Sequence, residues 1–439
     1  MASVDVILLF LYLNHLMLNR QIAPEIQDFN KVKLPKAESI ILPNQIPLYF
    51  LNLGQQPIIK LELIFEAGFS YDQNLGVSFF ANKMLSEGTK RHTAKQIAGQ
   101  LEQMGAFIEY GHGVDRAGIT VHCLNKHLSK IVLLLQSILT ESIFPEKEFL
   151  IQKNQTLQNL SVNEGKTAYL AGRKFKEQIF GIDNPYGFSF YQEDINNISI
   201  DQVKSFYTST YLQKPFKIFA TGQISEQHIS VITETLGKIS IKPNTQPFTN
   251  KLLTARPKTT PTALPHGSLQ TSIRIGKSLD INRKSQNYTK LLLTNEILGG
   301  YFGSRLMKNI REEKGLTYGI SSGIPQFSNG SYFVITSDVK KENAEIVVSE
   351  IKNEIHTLQT SLVTDTELDT AKKFMIGQFI GSINTPFEIM ERNKLIILEN
   401  LALNHYDEYP DRILSVHKSD IQEISNQFLS EDGLYSIQM

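Results

Sequence analysis

The sequence is poor in cysteine, in net charge and in long apolar runs, and each shortage excludes something. Cys123 is the single cysteine among 439 residues, so neither an intrachain disulfide framework nor a cysteine-rich metal site can form. Lysine plus arginine and aspartate plus glutamate both number 44. The resulting net charge of zero argues against nucleic acid or an anionic membrane surface as the main partner. The lack of disulfides suits a reducing compartment, so we expect the cytoplasm, with the periplasm as the alternative.

The N-terminus carries a short apolar stretch, Val6–Met17, which polar residues interrupt. It is too short for a membrane-spanning helix, so we expect no stable membrane insertion. It also lacks the basic region and the small-residue cleavage site of a secretory signal. Two interpretations stay open: the biological chain begins at Met17, or residues 1–16 form a weak membrane-associated leader. We assign residues 1–38 to a leader and N-terminal extension.

The length of the chain indicates two or more domains. Hydrophobic periodicity, caps and turn residues predict the elements of the first half. The predicted strands are two short strands in Ser39–Leu53 around Pro43-Asn44, then Ile58–Ala67, Ala106–Tyr110, Ala117–Leu124 and Phe216–Thr221. The predicted helices are Gly76–Leu85, a helix capped by Thr93 and ended by Gly105, His127–Ser142, Glu146–Asn163 and Ser199–Tyr211.

The second half repeats the first in outline. Residues 238–265 hold five prolines and little periodicity, which is typical of a linker. After it, the predicted strands are Gln270–Ile275, Leu316–Tyr318 and Gly330–Val339, and the predicted helices are Ser285–Leu298, Glu342–Leu358, Phe387–Leu403 and Asp420–Leu429. A repeat of this size predicts duplicated α+β domains, which we place at residues 39–237 and 266–439.

One stretch within the second half of this repeat, residues 295–319, carries the strongest chemical signal. It reads NEILGGYFGSRLMKNIREEKGLTYG and predicts a helix that contains Arg311 and ends at Gly315, followed by a short strand with Tyr318. The turn then brings the guanidinium and the phenol to one surface, where their donors suit a carbonyl oxygen or an anion. The alternative is that Arg311 pairs with a nearby glutamate and Tyr318 simply packs. A phosphate loop is not expected in GGYFGS, because no Lys-[Ser/Thr] follows.

The pattern G-G-x-x-S-R-L-x-x-x-I-R-E-x-K-G-L-x-Y resembles the C-terminal half of pitrilysin-type zinc peptidases, the group that contains insulin-degrading enzyme and mitochondrial processing peptidase. The segments PYGFSFYQEDI, SIDQVKSFYTSTY and KIFATGQIS are similar to the N-terminal half. The resemblance runs from about Pro43 onward. It implies an α+β fold of two duplicated domains, each a mixed β-sheet with helices packed on one side. It also implies that Arg311 and Tyr318 bind the peptide carbonyl of a substrate opposite the zinc.

The zinc site of that family is missing from the sequence. The family's inverted H-x-x-E-H motif supplies two histidine ligands and a general base. Alignment on the following Gly88-Thr89 puts Phe79, Asn82 and Lys83 at those positions, and none of them can do this chemistry. The helix that carries the third ligand reads LIQKNQTLQNLS over Leu150–Ser161, without a carboxylate. We therefore expect no zinc in this chain, and the resemblance implies a zinc site in a partner subunit.

Other metal ligands are too scattered to predict a site. His122 and Cys123 adjoin on a predicted strand and so face opposite ways. His127 follows nearby, and His112 lies in a predicted Gly-His-Gly turn. We interpret all four as surface polar residues or satisfied core residues.

The resemblance leads to one main hypothesis of function. The chain would be the zinc-free subunit of a heterodimeric zinc metallopeptidase that degrades or processes peptides, paired with a homologous subunit that carries the zinc motif. Peptide substrates would bind by adding a strand to an exposed sheet edge. Two alternatives stay open: a non-enzymatic scaffold, similar to the core subunits of the respiratory bc1 complex, and a peptide-binding protein without a catalytic partner.

Overall fold

The computed structural model describes residues 31–182, 184–241 and 270–439. The predictions for the first thirty residues and for linker residues 242–265 lie outside this part of the chain. Leu34–Met439 forms one compact unit. Within the described ranges, no helix combines the length and the apolar character needed to cross a bilayer. The proposed domain boundaries stay a prediction.

The first half is built around a six-stranded sheet with the strand order β1-β2-β6-β3-β5-β4. Its strands are β1 (Glu38–Ile41), β2 (Pro47–Asn52), β3 (Ile58–Phe65), β4 (Phe107–His112), β5 (Ala117–Leu124) and β6 (Lys217–Gly222). Strands β2 and β6 pair in parallel and the other neighbours pair antiparallel, so this sheet is mixed. The core of this half is made of the buried apolar residues of the sheet and of the helices packed on it.

The helices of the first half connect these strands. They are α1 (Val77–Lys83), α2 (Ala94–Gln103), α3 (Leu128–Glu141), α4 (Glu146–Glu164), α5 (Thr167–Phe180), α6 (Gln192–Asn197), α7 (Ile200–Phe206) and α8 (Glu226–Thr235). Thr93 caps α2 as predicted, since its hydroxyl accepts from the Gln96 N–H in a capping box. Such a cap is worth about 1 kcal/mol.

The second half contains a smaller sheet with the order β11-β7-β10-β8, and β9 pairs with β10. Its strands are β7 (Gln270–Leu279), β8 (Thr317–Gly323), β9 (Gln326–Phe327), β10 (Gly330–Lys340) and β11 (Tyr435–Gln438). Its helices are α9 (Tyr288–Asn295), α10 (Ala344–Thr360), α11 (Asp365–Gly381), α12 (Pro386–Glu399), α13 (Tyr409–Leu414) and α14 (Lys418–Phe428). The described pairings of this sheet are all antiparallel.

The two halves exchange helices. Helix α5 of the first half packs on β7 and β11, and helix α12 of the second half packs on β6. The ring of Phe175, on α5, is fully buried and would lie 3.0 Å from a Cβ placed on Gly276. That Cβ would also lie 1.9 Å from the carbonyl oxygen of Phe333. Glycine is therefore required where α5 meets β7, and each sheet depends on the other half for part of its cover.

The predicted fold class, α+β, is confirmed, and several local predictions need correction. Helices α5, α6, α8, α11 and α13 were not predicted, and neither were strands β9 and β11. The predicted helix Phe387–Leu403 ends at Glu399, because Asn400 adopts a left-handed conformation with φ of 52°. His112 was placed in a turn, and it instead ends strand β4.

Candidate functional site

The predicted motif helix is present and turns into a π-helical segment, Met307–Glu313, which contains Arg311. The helix ends at Gly315, whose φ of +60° confirms the predicted role of this glycine. Strand β8 then begins at Thr317. π-Helical turns are rare, and they occur frequently at functional sites.

Polar contacts hold this segment to two helices. Arg305, just before it, makes a two-point ion pair with Glu367 of α11, with N–O distances of 2.7 and 2.9 Å. The Asn309 amide donates to Glu350 of α10 at 3.0 Å and to Glu354 at 2.7 Å. Bidentate arginine–carboxylate pairs fix orientation as well as distance. The backbone that carries Arg311 is therefore held from two sides.

The glycine pair of the motif permits a close approach between the helix and the strand. A Cβ on Gly299 would lie 2.7 Å from the Ser322 hydroxyl of β8 and 2.9 Å from a methyl group of Leu306. A side chain there would push β8 away from the motif helix. The first glycine therefore sets the distance between the two elements that carry Arg311 and Tyr318.

Arg311 and Tyr318 lie side by side, as the sequence predicted. The guanidinium carbon of Arg311 is 5.8 Å from the ring centroid of Tyr318 and 4.8 Å from that of Phe302. Tyr318 is 93% exposed and Phe302 is 63% exposed. Arg311 thus stands between two exposed rings, each within the range of a cation–π contact. In the described part of the chain its contacts are these rings, and the predicted alternative of a glutamate partner is not seen.

A β-bulge orients Tyr318. Strand β8 pairs with β10 so that Thr317 faces Val339 and Ile320 faces Ser337. Two residues, Tyr318 and Gly319, therefore stand opposite Asp338 alone. Bulges of this kind re-aim a side chain at the end of a ladder. The Thr317 hydroxyl lies 3.0 Å from the carbonyl oxygen of Gly319 and 2.9 Å from that of Asp338, so its single hydrogen is donated to one of these two bulge carbonyls.

Strand β8 is the last strand of its sheet. Within the described residues, its outer edge pairs with no other strand. Tyr318, Gly319 and Ser321 are exposed along it. An edge strand with free N–H and C=O groups can accept an extended peptide as one more strand. The Arg311–Tyr318 pair lies where such a peptide would meet the end of the motif helix.

The three positions aligned with the zinc motif lie on α1, and each makes contacts that no metal ligand makes. Phe79 packs in an aromatic group with Phe80, His112 and Phe190. Asn82 is buried, and its amide donates to the hydroxyl of Tyr211 at 3.2 Å. The carbonyl oxygen of Gly118 accepts from the same amide at 3.5 Å. Phe79 and Asn82 are therefore structural residues of the first half.

Lys83 is the third of these positions, and the nearby carboxylate of Glu87 is already hydrogen bonded to another side chain. Its ammonium nitrogen lies 5.6 Å from the ring centroid of Phe79. Burial lowers the pKa of Lys83, and the charge of Glu87 partly offsets this. Glu87 in turn accepts from the Gln152 amide of α4 at 2.8 Å, and burial raises the pKa of this glutamate. An aromatic ring, an amide and a lysine do not fit a zinc ion, so no catalytic step can be assigned to zinc in this chain.

The other candidate ligands are also separated. Cys123 is buried on β5, and burial raises the pKa of its thiol to about 11. His122 points to the opposite side of the same strand. Burial lowers the pKa of His112 to about 4, so this ring is neutral, and its Nε2 is 2.9 Å from the Ser78 hydroxyl. His127 ends a short 3₁₀ turn. The described residues contain no group of three or more His, Cys, Asp or Glu side chains placed to hold a metal ion.

Phe302 is the site residue that the sequence reasoning missed. No role is assigned to it from the sequence, whereas its exposed ring lies over the Arg311 guanidinium. An aromatic residue between glycines in a turn is expected to be exposed, and that signal could have pointed to a surface role. Its place beside Arg311 could not be derived, because it depends on the path of the turn at Tyr301–Ser304.

Two family models match the chain. The model of insulinase, peptidase family M16, matches residues 52–182. The model of the peptidase M16 inactive domain matches residues 197–375. The two matches follow each other along the chain, as the two halves of the structure do.

The names of individual relatives and of a solved structure agree with these two matches. The chain is similar to "Uncharacterized zinc protease YmxG" of Bacillus subtilis, with 21% identity over 368 residues, 81% of this chain and 86% of that protein. It is similar to "Non-peptidase homolog YmxG" of Helicobacter pylori, with 24% identity over 343 residues, 76% of this chain and 77% of that protein. The crystal structure of a peptidase M16 inactive domain from Pseudomonas fluorescens superposes with a TM-score of 0.79 and 24% identity, over 92% of this chain and 97% of that one. At this identity the structural likeness shows the fold alone.

Proposed function

This chain belongs to the M16 peptidase family, and we propose that it is the zinc-free subunit of a heterodimeric M16 peptidase. Its partner is a homologous subunit that carries the zinc motif. Arg311 and Tyr318 of this chain bind the carbonyl oxygen of a peptide substrate across the interface. We place the heterodimer in the cytoplasm, with the periplasm as the alternative, because the chain has one buried cysteine and no disulfide.

The observation that carries the proposal is the contrast between the two sites. The zinc-motif positions are occupied by Phe79, Asn82 and Lys83, two of which pack or hydrogen bond in the core of the first half. Arg311 and Tyr318, by contrast, are displayed together on a sheet edge, held by a bulge and by the anchored π-helical segment. A scaffold has no need of an exposed phenol and a half-buried guanidinium oriented together at the end of a free strand edge.

The geometry supports a defined role for each group. The peptide pairs with the edge of β8, which reads its backbone more than its side chains. The Tyr318 hydroxyl and the Arg311 guanidinium then donate to the carbonyl oxygen as negative charge develops on it. The metal site of the partner supplies the activated water. Donors fixed before the reaction stabilise the transition state without reorganisation, and the loss of one costs about 3 kcal/mol, roughly a hundredfold in rate.

The second candidate is a protein without peptidase activity, either a scaffold or a peptide-binding protein. The occupied zinc-motif positions favour it, and the relative from Helicobacter pylori is called a non-peptidase homolog. In the peptide-binding form, Arg311 and Tyr318 keep their contact with the peptide and no bond is cleaved.

A mixing experiment distinguishes a peptidase subunit from a protein without peptidase activity. Cleavage of a quenched mixed-peptide library is measured with this chain alone, with a zinc-motif homologue from the same genome alone, and with both. We expect activity to rise sharply on mixing and to fall roughly a hundredfold for Tyr318→Phe. The matched control is Tyr435→Phe, an exposed tyrosine on β11 at the far edge of the same sheet.

Measuring the unfolding free energy of each variant shows whether a loss of activity comes from the site or from a destabilised fold. Tyr318 is almost fully exposed, so Tyr318→Phe should change the unfolding free energy by less than about 0.5 kcal/mol. Activity of the mixture that is unaffected by Tyr318→Phe and Arg311→Ala would contradict the assigned roles. A mixture that stays inactive, while the chain alone binds library peptides in an Arg311-dependent way, would favour the peptide-binding candidate.

A further inference from the structure

A cavity of about 410 Å³ lies among the helices of the second half, away from the outer edge of β8. Helices α9, α11, α12 and α13 and the loop before α13 line it. Its volume lies in the range of small-molecule sites in proteins. The function proposed above does not use it.

The cavity holds charged groups of both signs that do not pair with each other. Arg283, Arg392 and Glu296 all line it. Among the described residues, neither arginine forms an ion pair with Glu296: Arg283 donates to the hydroxyl of Tyr288 at 2.9 Å, and Arg392 donates to that of Ser382 at 2.6 Å. Opposite charges that share one small cavity without meeting leave room for a molecule between them.

Several polar atoms in the cavity wall lack a partner. They are Oε1 of Glu296, Nε of Arg392 and Oδ1 of Asn295, all buried and without a hydrogen bond. A buried polar atom left unpaired costs about 1–3 kcal/mol. Three such atoms in one cavity indicate that a ligand or ordered water normally satisfies them.

The position of Tyr409 shows how the charges are arranged. Its phenol is buried, and the charges of both Glu296 and Arg392 act on it, the first to raise and the second to lower its pKa. Arg392 is not among the causes that shift the pKa of Glu296, which burial raises to about 7. Tyr409 thus senses both charges, and no ion pair joins Glu296 to Arg392 among the described residues.

Part of the remaining wall is aromatic. The rings of Phe379 and Tyr406 stack with centroids 5.7 Å apart, and Phe379 meets Tyr409 edge to face at 5.1 Å. The Arg392 guanidinium lies 5.4 Å from the centroid of Tyr406. These rings give the cavity an apolar surface beside the Arg392 guanidinium.

We propose that this cavity binds a small zwitterion, a free amino acid or a dipeptide with an apolar side chain. Its carboxylate pairs with the Arg392 guanidinium, which presents an unused donor. Its ammonium group donates to the unpaired carboxyl oxygen of Glu296, and its side chain packs on the rings of Phe379 and Tyr406. A ligand with a single charge would leave one end of the cavity unsatisfied.

Calorimetric titration of the full chain tests the proposal with four probes. L-phenylalanine and the dipeptide Gly-Phe carry both charges, 3-phenylpropionate carries only the carboxylate, and phenethylamine carries only the ammonium group. We expect a zwitterion to bind with a Kd on the order of 1 mM or tighter, and each single-charge probe at least about tenfold more weakly.

Variants assign the two ends of the ligand. Glu296→Gln should weaken zwitterion binding about tenfold and leave 3-phenylpropionate binding unchanged, because only the ammonium contact is lost. Glu423→Gln, at an exposed glutamate of α14, is the matched control and should bind as the parent does. Gln378→Trp places a large ring at an exposed position of the cavity wall and should block binding without removing a charge.

Three results would overturn the proposal. Equal affinity for L-phenylalanine and 3-phenylpropionate would mark a simple anion site. Undiminished binding to Gln378→Trp would place the ligand elsewhere. No saturable binding of any probe to the folded parent chain would mean that water satisfies the cavity. None of these measurements needs a peptidase partner, so their failure is distinct from a failure of the proposed function.

Discussion

Replacing Glu62 by glutamine should destabilise the protein much more than the same change at Glu391, although both carboxylates contact the same two lysines. Glu62 lies on β3, 3.1 Å from Lys60 and 2.7 Å from Lys394. Glu391 lies on α12, 2.6 Å from Lys60 and 2.7 Å from Lys394. The side chain of Glu62 is 5% exposed, whereas that of Glu391 is 45% exposed. This cluster joins the sheet of the first half to a helix of the second.

The difference in burial determines the magnitude. The two lysine side chains are only 12% and 15% exposed, so removing Glu62 leaves two cations in a poorly hydrated place. Removing one partner from a buried ion pair costs about 3–5 kcal/mol, whereas exposed pairs are worth about 0–1 kcal/mol. Burial tends to lower the pKa of Lys60, but Glu62 and Glu391 outweigh it and raise that pKa overall. Because Glu391 still contacts both lysines, we place Glu62→Gln near the lower limit, at about 3 kcal/mol, and Glu391→Gln below about 1 kcal/mol.

Urea denaturation at neutral pH, followed by circular dichroism, measures both variants. The double variant Glu62→Leu/Lys394→Met removes both members of the buried pair and should recover most of the lost stability. Lys60 remains, but it still pairs with Glu391, so no buried charge is left without a partner. Equal destabilisation by the two glutamine substitutions would refute the reasoning. It would mean that burial of the carboxylate does not set the strength of this contact between the halves.

Two further predictions concern backbone space and pH. Gly276→Ala should abolish stable folding or cost more than about 4 kcal/mol, because its Cβ would lie 1.9 Å from the Phe333 carbonyl oxygen. Gly377 is an exposed glycine of α11 with open space around its Cβ, so Gly377→Ala should stabilise the protein by about 0.4–1 kcal/mol. Thermal melts that show similar losses for both variants would contradict this. Burial raises the pKa of Glu296 from 4.5 to about 7, so the folded state holds this proton more tightly and the residue lowers stability as pH rises from 4.5 through 7. Glu296→Gln should therefore raise the Tm at pH 8 and change it little at pH 5, and an equal shift at both pH values would exclude the proposed titration.

The parts of the site that the sequence predicts are those set by local geometry. A glycine at φ +60° ends the motif helix, and a short turn then leads into β8, so the proximity of Arg311 and Tyr318 follows from chain length alone. The degenerate positions Phe79, Asn82 and Lys83 could be found because residue type decides whether a side chain can bind zinc. The bulge at Tyr318 could not be found, because it depends on the register in which β8 pairs with β10. The sequence of β8 alone does not determine that register.

The exchange of helices lay beyond sequence reasoning for a different reason. Helix α5 carries buried apolar residues at helical spacing, including Leu170, Phe175 and Ile179, so its existence could have been predicted. Its packing partner could not, since periodicity shows that a face is buried and not what covers it. The nearest sheet along the chain belongs to the first half, whereas α5 packs on β7 and β11 of the second. Gly276 is required by this contact, but the sequence alone does not show why a glycine stands at that position.

The residues at the degenerate zinc positions argue that zinc binding would not return by restoring the ligands alone. Asn82 is 1% exposed and donates to a hydroxyl and a carbonyl oxygen. A glutamate there would place a buried carboxylate beside the carbonyl oxygen of Gly118, which repels it, and the Tyr211 hydroxyl would be the one donor of this pair. Phe79 is held among rings, and a histidine would leave part of that aromatic contact empty. The first half thus depends structurally on the residues that exclude the metal. In the proposed heterodimer, the chemistry of this chain therefore rests on Arg311 and Tyr318 beside the edge of β8, and substitutions of these two residues should separate activity from stability.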